Sequence, residues 1–397
     1  MKTISCTAAL PLICVCLIAP FAAADPSAPQ TGVILTDTGI TQNQCYQKDS
    51  LVFVNCQSAG AIALSDSQDG MIGMDADSST NTEADGRLGF SYQQVDGGCV
   101  LDKVTRLTWE LTDSAGGLRD KTRAFTNLNK QQTGDVSELI VEANHQGWCG
   151  YHDWRLPNID ELQSLIDYGI APPGPMLNMA WFPDTQSRAY WSATPVVTIK
   201  PENNTLGHVW VLYFGDGEMA AYGRYLSLPA RLVRGEQPQA GERYLISADG
   251  EEVTDTVADL IWRRCLEGAQ WRENDCIQTP YHPYTQEAAF ALAKAEATRS
   301  KKSWRLPNVK ELSSIMQRNH HPAFDLKLFP GTATNGWIWT STPAIGRPAA
   351  KDRFHSEVRD AWYGSFENGA MVRYDRYNTH SVRLVRTREP SAAKPKE

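Results

Sequence analysis

The sequence lacks the short motifs that mark common catalytic and nucleotide-binding sites. Its 397 residues contain no G-x-S-x-G, no H-E-x-x-H and no phosphate-binding P-loop. Histidine is scarce, at 8 residues. The adjacent pair His320 and His321 precedes a proline, which favours a loop over a metal site. We therefore predict that the protein is not an enzyme and that this pair holds no metal.

Positive charge and long hydrophobic runs are also in short supply. The formal net charge is -8, and the excess of acidic residues lies before residue 241. An acidic chain is a poor partner for nucleic acid, although the second half could present a basic face to an anionic partner. After residue 24, no apolar run reaches the roughly 18 residues that a membrane helix needs. We expect no nucleic-acid partner and no transmembrane segment in the mature chain.

The first 24 residues have the pattern of an export signal. Lys2 is followed by an apolar run from Leu10 to Ala19, and three alanines precede Asp25. We predict a cleaved signal peptide over 1–24. The mature protein is then exported, to the periplasm, the cell surface or the medium.

Six of the nine cysteines lie after this signal. No C-x-x-C occurs, so structural disulfides are favoured over a metal site. Short spacing favours the pairs Cys45–Cys56 and Cys265–Cys276, which leaves Cys99–Cys149.

One segment occurs twice, as DWRLPNIDEL at 153–162 and as SWRLPNVKEL at 303–312. YWSATP and IWTSTP, and then ARLVRG and VRLVRT, are separated by the same offset of about 150 residues. A whole domain is therefore duplicated. The predicted organisation is a signal peptide 1–24, a Cys-bearing leader 25–89, a first domain 90–235, a linker 236–240, a second domain 241–388 and a tail 389–397.

Each unit is expected to begin with helices. One helix is predicted from Asp135, and Thr285 caps the corresponding helix of the second unit. Another helix follows each W-R-L-P-N, and Gly169 is the predicted end of the first of these. Strand-like segments separated by glycine-containing turns fill the last third of each unit. The predicted class is α+β, with two or more helices followed by an antiparallel sheet with long loops.

The proline of W-R-L-P-N makes the segment a strand-to-helix corner. The asparagine and the glutamate three residues later have capping-box spacing. We expect the tryptophan to fill the core and the arginine to pair with a carboxylate, for which that glutamate is one candidate; a ligand role is the alternative. The residues given this structural role are Trp154, Arg155, Pro157, Glu161, Trp304, Arg305, Pro307 and Glu311.

A dense run of aromatic and cationic residues stands near the end of each unit. Arginine forks suit sulfate or carboxylate groups, and tyrosine rings suit the faces of sugars. The alternative is a solvated sheet edge whose tyrosines pack on their neighbours. The candidate ligand-binding residues are Arg373, Tyr374, Arg376, Tyr377 and His380, with Tyr222, Arg224 and Tyr225 at the matching place in the first unit.

The acidic stretch from Asp75 to Gly86 places oxygen-bearing side chains at alternate positions. It lacks the glycine and the final glutamate of a calcium-binding EF-hand loop. We interpret it as a solvated linker, with calcium binding as the alternative, and expect no cofactor.

The combination W-R-L-P-N-x-x-E-L, W-[ST]-[AS]-T and R-L-V-R resembles the Lcl C-terminal domain of bacterial exported proteins. The resemblance implies tandem C-type-lectin-like domains and a non-enzymatic role in surface attachment or in binding sulfated polysaccharides. The chain departs from the family in lacking a collagen-like stalk, in its acidic first unit and in carrying Arg106 where a glycine is usual.

The expected function is therefore binding or adhesion at the cell envelope. The partner would be a glycan, including an anionic polysaccharide, or an envelope protein. The alternative is a structural or assembly component of a surface appendage or envelope complex.

Overall fold

The computed structural model describes residues 34–50, 52–72, 89–197, 207–235, 243–278, 283–332, 336–346 and 360–388. The predicted signal peptide 1–24, the acidic stretch 75–86, the linker 236–240 and the tail 389–397 lie outside these residues. Within the described ranges, no helix has both the length and the apolar composition that a bilayer crossing requires.

The first repeat combines two antiparallel sheets with two helices. The strand order is β1-β2-β3-β7 in one sheet and β4-β5-β6 in the other, so the last strand of the repeat returns to pair with β3. The elements are β1 Tyr92–Val95, β2 Cys99–Asp102, β3 Thr108–Glu110, α3 Val136–Gln146, α4 Ile159–Ser164, β4 Ala189–Pro195, β5 His208–Tyr213, β6 Met219–Gly223 and β7 Val233–Arg234.

The second repeat has the same plan with one added hairpin, β11-β12. Its sheets have the orders β16-β10-β9-β8 and β13-β14-β15. The elements are β8 Tyr244–Ile246, β9 Glu252–Asp255, β10 Leu260–Arg263, β11 Ala269–Arg272, β12 Asp275–Gln278, α5 Gln286–Ser300, α6 Val309–Ser314, β13 Trp337–Pro343, β14 Asp360–Ser365, β15 Met371–Asp375 and β16 Val385–Thr387.

The class is therefore α+β with two repeated regions, as predicted. The first sheet of each repeat was missed at the sequence level, because its strands are too short to show a clear alternation of apolar and polar residues.

The longer helices begin at the expected caps. The side chain of Asp135 accepts a hydrogen bond from Ser137 N, and that of Thr285 accepts one from Ala288 N. On α3, Val136, Leu139 and Ala143 are buried, which is the apolar face that the spacing predicts.

The predicted end of α4 at Gly169 is wrong, because the helix ends at Ser164. The next two amides, of Leu165 and Ile166, bond to carbonyls three residues back, which tightens the turn. Gly169 has a different role, since a Cβ at this position would lie 2.1 Å from the carbonyl oxygen of Gly39. A close approach between chain segments and a helix cap both require glycine, and the sequence alone did not distinguish them.

Both W-R-L-P-N corners fold in the same way. The guanidinium of Arg305 donates to both oxygens of Glu311, each at 2.7 Å, and Glu311 also accepts from the Asn308 amide. Arg155 and Glu161 form the equivalent pair at 2.8 and 2.7 Å. Trp154 and Trp304 are buried beside these pairs. The geometry matches the arginine–glutamate pairing that the sequence predicts.

The leader, residues 34–50 and 52–72, contacts both repeats. It contains α1 Ala59–Leu64 and α2 Asp69–Ile72. Gln44 Nε2 donates to the Gly169 carbonyl of the first repeat at 2.9 Å. Tyr46 is fully buried in the core cluster of the second repeat, and its hydroxyl donates to the Asp360 carbonyl at 2.6 Å. The leader is thus an integral part of the core.

Three disulfides confirm the predicted pairing: Cys45–Cys56, Cys99–Cys149 and Cys265–Cys276. The first closes a loop in the leader. The second joins β2 to the turn after α3, and the third joins the end of β10 to β12.

The two repeats pack directly against each other. The ring of Tyr168 meets that of Trp362 edge-on at 4.9 Å, and Asp160 pairs with Arg318. Lys310 Nζ is buried between the repeats and the leader, where it donates to Ser164 O at 3.2 Å and Thr36 Oγ1 at 2.8 Å. A single hydrophobic cluster spans both repeats, so they form one folded unit.

Candidate functional site

The candidate residues lie around a turn that follows the edge strand of each three-stranded sheet. The turn after β6 contains Arg224 and Tyr225, and the turn after β15 contains Arg376 and Tyr377. The tyrosine two residues before each arginine, Tyr222 or Tyr374, lies on the strand itself. Both repeats therefore present a Tyr-x-Arg-Tyr segment, which we call the tyrosine turn.

The arginine of each tyrosine turn makes contacts within the protein; Arg376 is buried and Arg224 is half-buried. Arg376 is 2% exposed, and its guanidinium carbon lies 3.9 Å from the centre of the Tyr46 ring. Its Nη2 is 3.9 Å from Glu287 Oε2. In the first repeat, Arg224 Nη1 donates to the carbonyl and the side-chain oxygen of Asn127, at 3.0 and 3.1 Å. Arg224 thus holds its turn against the segment before α3, whereas Arg376 holds its turn against the leader and the first turn of α5.

Arg373 is also engaged within the protein. Its Nε donates to Glu218 Oε1 at 3.3 Å, which joins β15 of the second repeat to the turn before β6 of the first. The structure therefore does not bring Arg373 and Arg376 to a shared cationic face. The sequence could not show this, because Glu218 and Tyr46 are distant along the chain.

The tyrosines, by contrast, reach the surface. Tyr225, Tyr374 and Tyr377 are 60%, 53% and 51% exposed, whereas Tyr222 is half-buried. A phenol ring combines a flat apolar face with a polar tip, which suits a ligand that is itself partly apolar and partly hydroxylated.

His380 lies beneath the second tyrosine turn. Its ring is 4.6 Å from those of both Trp339 and Tyr363. Burial lowers the pKa of His380 to about 4, so the imidazole is neutral near pH 7. Its Nε2 is buried and has no hydrogen-bond partner among the described residues.

Trp337 packs beside Tyr363, in the cluster that includes Trp339, and it lies outside the motifs considered from the sequence. Its ring lies 4.9 Å from that of Tyr363, at a steep angle of 80°. Alignment of the two repeats could have found it, since the equivalent positions in the first repeat carry aliphatic residues. The residues of the first repeat equivalent to Trp337, Tyr363 and His380 are Ala189, Val211 and Leu228.

Among the described residues, no group of three His, Cys, Asp or Glu is placed to hold a metal ion. Two carboxylates near the second tyrosine turn, Asp360 and Asp375, are cross-strand partners on β14 and β15.

Comparison with known families gives one match that covers most of the chain. The sequence model of the Lcl C-terminal domain matches residues 98–234 and 251–386, inside the predicted domain ranges 90–235 and 241–388. A search of curated proteins found no match. The chain belongs to the Lcl C-terminal domain family and carries two copies of that domain in tandem.

Proposed function

We propose that the chain is an exported, non-enzymatic protein that binds a glycan or protein ligand at the cell envelope. In this proposal, C-type-lectin-like domains are its binding units. The observation that carries the proposal is the tyrosine turn, which occurs once in each repeat. In both copies the arginine bonds to or packs on another segment of the protein, and tyrosine rings remain exposed around the turn.

Exposed aromatic rings on a fixed backbone are suited to recognition. Tyrosine gives a large contact area for little loss of side-chain freedom, and a rigid turn keeps the ordering cost of binding low. The three disulfides support export, because such bonds persist in oxidising compartments.

A glycan array tests this proposal on the mature chain and on a Tyr374→Ala, Tyr377→Ala variant. Both side chains are about half exposed, so the variant should unfold at nearly the same temperature as the original protein. We expect the original chain to retain at least one glycan and the variant to lose it. Equal retention by the two proteins would show that the tyrosine turn is not the site.

A second candidate function, assembly into an envelope complex, has one observation in its favour. Leu245 and Ile246 are 43% and 48% exposed on β8, which is an edge strand. The equivalent residues on β1 are Gln93 and Gln94. An apolar edge strand can accept a strand from another protein.

The matched variant is Leu245→Gln, Ile246→Gln, which gives β8 the side chains of β1. If the chain acts by assembly, a partner that copurifies stoichiometrically with the original protein should be lost from this variant. If the partner is retained, β8 is not the contact.

A further inference from the structure

The two repeats differ most in chemistry on one face of the second sheet. Cross-strand pairing aligns Trp339 with Tyr363 and Tyr363 with Val372, and residues two apart on a strand share a face. Trp337 on β13 and Tyr374 on β15 therefore project from the same face as Tyr363. His380 packs on this face against Tyr363. We call Trp337, Tyr363, Tyr374 and His380 the aromatic face.

The four side chains of the aromatic face differ in their exposure to solvent. Tyr363 is 8% exposed and forms the floor, Trp337 and His380 are half-buried, and Tyr374 is 53% exposed. The first repeat keeps only the rim tyrosine, as Tyr222, because its other three positions are Ala189, Val211 and Leu228. The three aromatic side chains are therefore particular to the second repeat, where Tyr363 also belongs to the hydrophobic cluster that includes Phe290 and Trp339.

The charges around this face do not suit an anionic ligand. The nearby arginines, Arg373 and Arg376, make internal contacts with Glu218 and Tyr46. The carboxylates Asp360 and Asp375 are cross-strand partners at the ends of β14 and β15, and alternation places them on the opposite face, with Trp362 and Arg373. Because the aromatic face presents no arginine, a sulfated or carboxylated chain would find no cationic partner there.

We propose that the aromatic face of the second repeat binds a neutral sugar chain and that the first repeat has no equivalent site. The register sets Trp337 and Tyr374 two strands and four residues apart, about 16 Å, so different rings of one sugar chain pack their C–H groups on each. The ring at the rim also takes the hydrogen bond that the Tyr374 hydroxyl offers. The inference rests on the proposed binding function and names its ligand class.

Isothermal titration of the mature chain against neutral hexasaccharides of glucose, N-acetylglucosamine, galactose and mannose tests this directly. Heparin serves as the anionic probe, and each titration is run at about 50 mM and about 500 mM sodium chloride. We expect at least one neutral hexasaccharide to bind with the same Kd at both salt concentrations, because no ion pair contributes.

The diagnostic variant replaces three residues by those of the first repeat: Trp337→Ala, Tyr363→Val and His380→Leu. Loss of the aromatic contacts should raise the Kd by about tenfold or more. Trp271→Ala is the matched control, since it removes another half-buried tryptophan of the same repeat, one that packs on Arg264. Thermal unfolding of both variants shows whether each is folded.

The outcomes separate this inference from the broader proposal. Heparin binding that falls steeply with salt, with no neutral sugar bound, overturns the neutral-sugar site but leaves a binding function in place. Neutral-sugar binding that survives the triple substitution in a folded variant overturns the site. If neither class of glycan binds, the aromatic face has no sugar ligand, and the glycan form of the proposed function fails with it.

Discussion

The W-R-L-P-N corner occurs once in each repeat, so a substitution that destabilises one corner can be compared with the same substitution in the other. Glu311→Gln and Glu161→Gln remove the same carboxylate charge from equivalent arginine–glutamate pairs. The difference between the sites is burial: the side chain of Arg305 is 6% exposed, whereas that of Arg155 is 39% exposed. Water can solvate the second guanidinium after its partner is neutralised, but not the first.

The difference in burial sets the expected loss in the free energy of unfolding at each site. Removal of one partner from a buried ion pair costs about 3 to 5 kcal/mol, because the remaining charge is left without compensation. A partly solvated pair loses about 1 to 2 kcal/mol, closer to the value of a charge-assisted hydrogen bond. Glutamine still accepts a hydrogen bond from the N-cap amide, so the helix start should survive in both variants.

The assay is urea unfolding followed by tryptophan fluorescence, with thermal unfolding as a second probe. We expect Glu311→Gln to lower the free energy of unfolding by about 2 kcal/mol more than Glu161→Gln. Equal losses at the two sites, or a larger loss at Glu161, would refute the argument that burial sets the cost. Because one hydrophobic cluster spans both repeats, each variant should unfold in one transition.

Two further substitutions test backbone and titration effects. Arg106 has a φ of 63°, in the left-handed region that favours glycine, so Arg106→Gly should raise the free energy of unfolding by about 0.5 to 1 kcal/mol, while Arg106→Ala should not. Burial raises the pKa of Asp69 to about 6. Ionisation of this carboxyl in the folded protein therefore lowers the free energy of unfolding as pH rises. Stability from Asp69 is present below pH 4 and lost through pH 6. Asp69→Asn should therefore stabilise the protein at pH 7, by at most about 3 kcal/mol, and have little effect at pH 4; equal effects at both pH values would contradict this.

Local signals predicted the parts of the fold that depend on nearby residues. Caps such as Asp135 and Thr285 act within one helical turn, and the corner arginines find a glutamate six residues away. The short disulfides Cys45–Cys56 and Cys265–Cys276 also join residues only 11 apart in sequence. In each case the partner lies close enough for spacing to identify it.

Contacts between distant segments were not predictable in this way. The sequence gives no sign that Tyr46 of the leader covers Arg376, or that Glu218 of one repeat receives Arg373 of the other. As a result, the sequence suggested a cationic ligand surface, whereas the folded chain leaves mainly tyrosines exposed there. Trp337 belongs to no motif that the two repeats share. The only sequence signal for it is a difference between them, Ala189 in the first repeat and Trp337 in the second.

The central claim is that exposed aromatic residues of the second repeat contact the ligand. The most direct measurement is a crystal structure of the mature chain soaked in the neutral hexasaccharide that binds best in solution. We predict one sugar ring of the chain stacked against Trp337 and another against Tyr374, with nothing bound near Ala189 and Val211 of the first repeat. Sugar density at any other place, with the aromatic face empty, would contradict the account.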